Sequence, residues 1–179
     1  MLIRREQSFL LIVDIQERLA PTILNAKEVV TNVKKLIRAA GHFSIPLLVS
    51  EQYPKGLGQT LPELRELVAP ENVFEKTHFS CVGEAGFAKR LIQARRQIIL
   101  CGMEAHVCVL QTALDLAASG WAPVVVADGV SSRRAQDRDL GLMRVRDAGT
   151  TIVTAEMVLF EWIGQAGTAD FKTLLPLIR

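Results

Sequence analysis

Phe9-Leu10-Leu11-Ile12-Val13-Asp14 is a run of five apolar residues closed by a carboxylate. A strand with one wet face would alternate apolar and polar side chains. An unbroken aliphatic run instead needs cover on both faces, as in a parallel sheet packed between helices. Four more runs of this kind follow: Ile45 to Ser50 (IPLLVS), Gln97 to Cys101 (QIILC), Ala122 to Ala127 (APVVVA) and Thr150 to Thr154 (TTIVT). A weaker sixth lies at Val73 to Lys76. Between them the period changes to that of a helix. Val33, Leu36, Ile37 and Ala40 line one face of Asn32 to Ala40, which Gly41 should end. Val107, Leu110, Leu114 and Ala117 repeat the period as far as Gly120, a suitable C-cap, and Thr154 is placed to cap Ala155 to Trp162. Strand and helix signals in alternation predict an α/β fold, a Rossmann-like doubly wound parallel sheet of about six strands flanked by helices. Strands one and four would then be central neighbours, and ligands would bind beyond the carboxyl ends of the strands. That directs attention to Asp14, Ser50 and Glu51, Lys76, and the segment Gly102 to Cys108.

A chain of 179 residues is expected to form one domain over 1–179, burying roughly two thirds of its unfolded surface. Hydrophobic residues make up 49% of it, a surplus that suits a subunit interface and hence a homo-oligomer. The 21 basic and 19 acidic residues leave a net charge of only +2 and are scattered, so neither nucleic acid nor an anionic membrane is an expected partner. The apolar run before Asp14 is too short for a signal-peptide core or a membrane span, which predicts a cytosolic protein. Cys81, Cys101 and Cys108 form neither a CxxC pair nor an even set, so each is read as a free thiol. The three histidines lack metal spacing, and no cofactor is expected. Pro54-Lys55-Gly56-Leu57-Gly58 is the one strong loop signature, and it is not a phosphate-binding motif.

Three strand ends carry the chemistry. Cys108 follows Gly102 to Val107 at the start of a helix, where free N–H groups and the helix dipole favour a thiolate and can receive an oxyanion. It can equally be read as a small buried hydrophobe. Asp14 ends an apolar strand, so its carboxylate needs a partner. Lys76 ends the short, weaker strand left to complete the sheet, although most lysines are solvated surface charges. Together the three would supply a thiol, a base and a cation. Replacing Lys76 is accordingly expected to affect activity far more than stability.

LLIVDIQERL (10–19), EQYPKGLGQT (51–60), FEKTHFS (74–80) and ILCGMEAHVCVLQTALDL (99–116) occur in that order, followed by ADGVSSR (127–133) and TIVTAEMVLFEW (151–162). Over nearly its whole length this pattern resembles the isochorismatase-like cysteine hydrolases, in particular the isochorismatase domain-containing proteins. The resemblance implies Cys108 as nucleophile, Asp14 as general base and Lys76 as a cation beside both. It also implies a cis peptide at Met103-Glu104, with the N–H groups of Glu104 and Cys108 forming an oxyanion hole. Two departures limit the transfer. Nicotinamidases of this superfamily hold a metal through an aspartate and histidines after the second strand, where this chain reads Ser50-Glu51-Gln52-Tyr53-Pro54 without a histidine. Members that cleave isochorismate lack the cysteine, so its presence here points away from that reaction. The expected activity is hydrolysis of a small amide through a covalent thioester. The alternatives are a ligand-binding or scaffold protein with little turnover, and a thiol redox sensor that would need a resolving cysteine. Gln16, Tyr53, Phe79 and His106 are candidate pocket residues for a small-molecule substrate. Arg133 and Arg134 follow the fifth strand and could bind an acidic group or form a structural ion pair.

Overall fold

The computed structural model describes residues 1–178. Six strands form one parallel sheet: β1 (Ser8–Val13), β2 (Leu47–Gln52), β3 (Val73–Lys76), β4 (Gln97–Met103), β5 (Ala122–Ser131) and β6 (Thr151–Val153). Their spatial order is β3-β2-β1-β4-β5-β6, so β1 pairs with both β2 and β4 and the order reverses there. The helices are α1 (Ala26–His42), the short α2 (Pro54–Leu57), α3 (Pro62–Arg65) and α4 (Phe87–Arg90), then α5 (Leu110–Ala118), α6 (Ala135–Asp147), α7 (Ala155–Ile163) and α8 (Ala169–Ile178). No helix among the described residues is long and apolar enough to cross a membrane.

Every residue of β1 and β4 is buried, because alternate side chains enter two different cores. Leu10 and Ile12 pack with α1, α7 and α8, whereas Phe9, Leu11 and Val13 pack with α4, α5 and α6. Each such side chain contributes about 1.5–3 kcal/mol, which is why the run contains no polar residue before the strand ends.

Several boundaries differ from the sequence expectation for identifiable reasons. β2 starts at Leu47 because Pro46 has no N–H to donate, although its carbonyl accepts the Leu10 N–H. It ends at Gln52, two residues beyond Ser50, and pairs there with Lys76. β5 continues to Ser131 past an irregularity in its pairing with β4. α1 passes through Gly41 to His42. α6 has no strong apolar stripe, with Gly141 and Val145 its buried residues, so periodicity does not reveal it.

Two backbone features shape the site end of the sheet. Asp14, directly after β1, adopts a left-handed conformation at φ 52°, uncommon outside glycine and concentrated at functional sites. Gly102 on β4, at φ 130°, lies opposite Val13 so closely that a Cβ would stand 1.9 Å from the Val13 carbonyl oxygen. Only glycine lets β1 and β4 converge here.

Candidate active site

The strand ends bring Asp14, Lys76 and Cys108 together. Asp14 and Lys76 are fully buried, and Asp14 Oδ2 faces Lys76 Nζ at 2.8 Å. The other carboxylate oxygen, Oδ1, accepts the Ser50 hydroxyl at 2.7 Å, while the Asp14 N–H donates to the Ser50 carbonyl. Oδ2 accepts no well-formed hydrogen bond, and the Cys108 thiol faces the same carboxylate. The Lys76 ammonium donates to Gln52 Oε1 at 2.6 Å and to the carbonyls of Phe79 and His78 at 3.1 and 3.2 Å. Its three protons are therefore committed to protein oxygens, and its influence on the site is that of a fixed charge.

Burial raises the Asp14 carboxyl above its ordinary range, against the opposing pull of Lys76, Ser50 and Cys108. For Lys76, burial alone would lower the pKa, but the carboxylate of Asp14 and then Cys108 outweigh it and hold the ammonium above its usual value. Cys108 lies in a π-turn (Ala105–Val109) that leads from the cis peptide Met103-Glu104 into α5. The expectation that this position lowers its pKa is reversed. Burial and the Asp14 charge push the thiol up, with Lys76 only partly compensating, so the resting group is a neutral thiol beside a carboxylate.

A cavity of about 250 Å³ opens onto Asp14 and Cys108, with Leu19, Leu57, Phe79 and Val107 as apolar walls and Gln52, Glu104 and Arg133 as polar groups. A wider groove of about 630 Å³ runs past Pro21, Lys27 and Leu61 and touches none of the three central residues. Of the pocket residues expected from sequence, Phe79 lines the smaller cavity. Tyr53 instead lines a neighbouring one with Lys55, Glu75 and Glu84. His106, also expected in the pocket, is half-buried and lines neither cavity; its Nδ1 lies 2.9 Å from Ser132 Oγ. Gln16 requires a correction. Its Oε1 accepts the Gln52 N–H and its Nε2 donates to the carbonyls of Gln52 and Gly58, so the buried amide straps the chain after β2 and is spoken for. Glu51 acts similarly, accepting both the N–H and the hydroxyl of Thr60. Leu19, Leu57 and Gln52 escape sequence reading, Gln52 because β2 is longer than its apolar run. Among the described residues no three His, Cys, Asp or Glu side chains cluster as metal ligands would.

Exposure separates the thiols. Cys108 retains 7% of its surface and borders the cavity, whereas Cys81 and Cys101 are fully buried. Burial raises all three thiols, Cys108 included, so access to the cavity rather than acidity decides between them. Limiting iodoacetamide at neutral pH should therefore modify Cys108 first. Faster labelling of Cys81 or Cys101, read by peptide mass spectrometry, would contradict this assignment.

A six-stranded parallel sheet between two helical layers, with polar residues gathered at its carboxyl edge where the strand order reverses, defines a doubly wound α/β protein. The family model for the isochorismatase domain matches residues 8–157, and the chain belongs to that family. It is 40% identical over 173 residues to isochorismatase domain-containing protein 2 of Danio rerio, covering 96% of this chain and 86% of that one. It is also 40% identical to isochorismatase domain-containing protein 1 of Salmo salar, covering 93% of this chain, but spans only 59% of that relative's length. Among solved structures, the MAR1 ribonuclease from Caenorhabditis elegans superposes with a TM-score of 0.93 at 39% identity, covering 99% and 92% of the two chains.

Proposed function

We propose that the chain is a cysteine-dependent hydrolase of a small amide, acting through a covalent thioester. The observation that carries this reading is that Cys108 and Asp14 share the wall of one small cavity, with the Lys76 ammonium paired to Asp14 behind them. Asp14 takes the thiol proton as sulfur attacks the amide carbonyl, and the N–H groups of Glu104 and Cys108 hold the oxyanion. The C–N bond then breaks as Asp14 returns the proton to the departing amine. Water attacks the thioester with Asp14 again as base, releasing a carboxylic acid and the free thiol. Lys76 keeps Asp14 ionised and offsets negative charge throughout. A positioned base contributes about 10²- to 10⁴-fold and one oxyanion donor about 10²- to 10³-fold, so these parts together account for a useful rate.

The test is a panel of small primary amides assayed with wild type and with Cys108→Ala, before and after exhaustive chelation. Hydrolysis that requires Cys108 and survives chelation is expected. Activity restored by zinc, iron or manganese would place the chemistry on a metal, and activity equal in Cys108→Ala would remove the thioester. An RNA oligonucleotide belongs in the panel because the Caenorhabditis elegans relative is called a ribonuclease. The expected result there is no cleavage, since the cavity is small and its charged groups are paired. Ligand binding throughout the panel without turnover would favour the binding-protein alternative. The homo-oligomer expected from composition would cover part of the apolar surface at Leu140, Met143, Met157 and Phe160.

A further inference from the structure

Arg133 is the one cation among the described residues lining the cavity, since the Lys76 ammonium is committed behind it. Its Nε donates to Glu104 Oε1 at 3.0 Å and Oε2 at 3.2 Å, and its backbone N–H adds a third bond to Oε2 at 3.0 Å. These contacts satisfy the Glu104 carboxylate and fix the guanidinium by its Nε edge. Among the described residues nothing accepts from Nη1 or Nη2. The Arg133 side chain is 61% exposed against 9% for Glu104, so the pair has a buried anionic end and an open cationic end.

We propose that this open end of Arg133 is a carboxylate subsite, and that the substrate is a small amide carrying a carboxylate on the side of its carbonyl remote from the leaving amine. The proposal rests on the Cys108 reading and deepens it. Two parallel N–H groups in a rigid fork match a carboxylate, whereas a neutral carbonyl needs only one donor. The charges in the cavity already cancel in pairs, Asp14 with Lys76 and Glu104 with Arg133. A substrate anion near Asp14 would be repelled, so the mouth at Arg133 is the place where it can be accepted. A sphere of 250 Å³ is about 8 Å across, which places the carboxylate only a few bonds from the carbonyl that meets Cys108. Leu57 and Phe79 would then cover the methylene groups between the two ends.

N-Iodoacetylglycine and N-iodoacetylglycinamide test this, being alkylating agents of the same shape that differ only in carboxylate against carboxamide. Their rates at Cys108 are each divided by the rate with free 2-mercaptoethanol. Wild type should favour the carboxylate reagent by about tenfold, Arg133→Gln should bring the ratio near one, and Arg133→Lys, which keeps the charge facing Glu104 but loses the fork, should fall between. A wild-type ratio near one, or one ratio shared by all three proteins, overturns the subsite. If neither reagent labels Cys108, the nucleophile reading fails instead, and glutaramate, the monoamide of glutarate, then decides the subsite through thermal unfolding. A rise in Tm for wild type that Arg133→Gln loses supports the subsite without any reaction at the thiol, and no rise overturns it.

Discussion

Asp14→Asn should reduce amide turnover by about 10²- to 10⁴-fold while leaving Cys108 open to alkylation, because the two assays depend on the carboxylate in opposite ways. After burial, the negative charge of Asp14 is the main reason the Cys108 pKa lies high, and Lys76 is the main influence in the other direction. With the charge gone and Lys76 in place, the thiol pKa falls, and the alkylation profile should move to lower pH. Turnover still collapses because no group remains to return a proton to the departing amine. The near-isosteric amide keeps an oxygen able to accept the Ser50 hydroxyl, but Lys76 loses its counter-charge, so stability should fall as well and circular dichroism must show the variant folded before its rates are compared. Parallel rates of alkylation and turnover across pH, both measured against wild type, would separate these effects. An unchanged turnover, or an alkylation profile displaced upward, would show that Asp14 is not the base beside this thiol.

Lys76→Met should act in the reverse sense on the thiol and strongly on stability. Removing the ammonium removes the influence that lowers both Cys108 and Asp14, so alkylation should require higher pH and turnover should fall by orders of magnitude. The expectation that stability would change little needs correction, since Lys76 and Asp14 are both fully buried. Leaving one member of a buried pair uncompensated costs about 3–5 kcal/mol, comparable to a core truncation. Asp14 can escape part of that cost by taking up a proton. Its folded pKa would then stand further above the unfolded value, so the stability it contributes is present at acid pH and lost as pH rises through the folded pKa. Urea unfolding should show a deficit that is largest at neutral pH and shrinks toward pH 5. The double variant Asp14→Asn with Lys76→Met should regain much of the stability and none of the activity. A single variant as stable as wild type at neutral pH would mean that the charges are not paired in the folded protein.

Much of this arrangement can be read from the chain because burial on both faces leaves a plain mark. FLLIVD and QIILC identify the two central strands, and the residue that ends the first had to be either paired or exposed. Lys76 is legible through its place at the end of the weak strand the sheet requires and through the resemblance of FEKTHFS, not through its residue type. What periodicity could not supply was contact between distant polar groups. A glutamine such as Gln16 looks the same in sequence whether it binds a ligand or the backbone of Gly58, 42 positions away. The long-range field around a thiol is equally invisible. Cys108 does stand at the entry to a helix, as the sequence predicts, yet the depth of its burial reverses the acidity that position alone implies. The sequence allows Arg133 either an acidic ligand or an ion pair, and the structure gives its inner edge to Glu104.

The straps made by Gln16 and Glu51 across the segment from Gln52 to Thr60 bear on the time course of binding. A cavity wall ordered during folding loses no further conformational freedom when a small molecule arrives. Ligand association should accordingly be a single step whose observed rate climbs linearly with ligand concentration, without the plateau that a slow closure would impose.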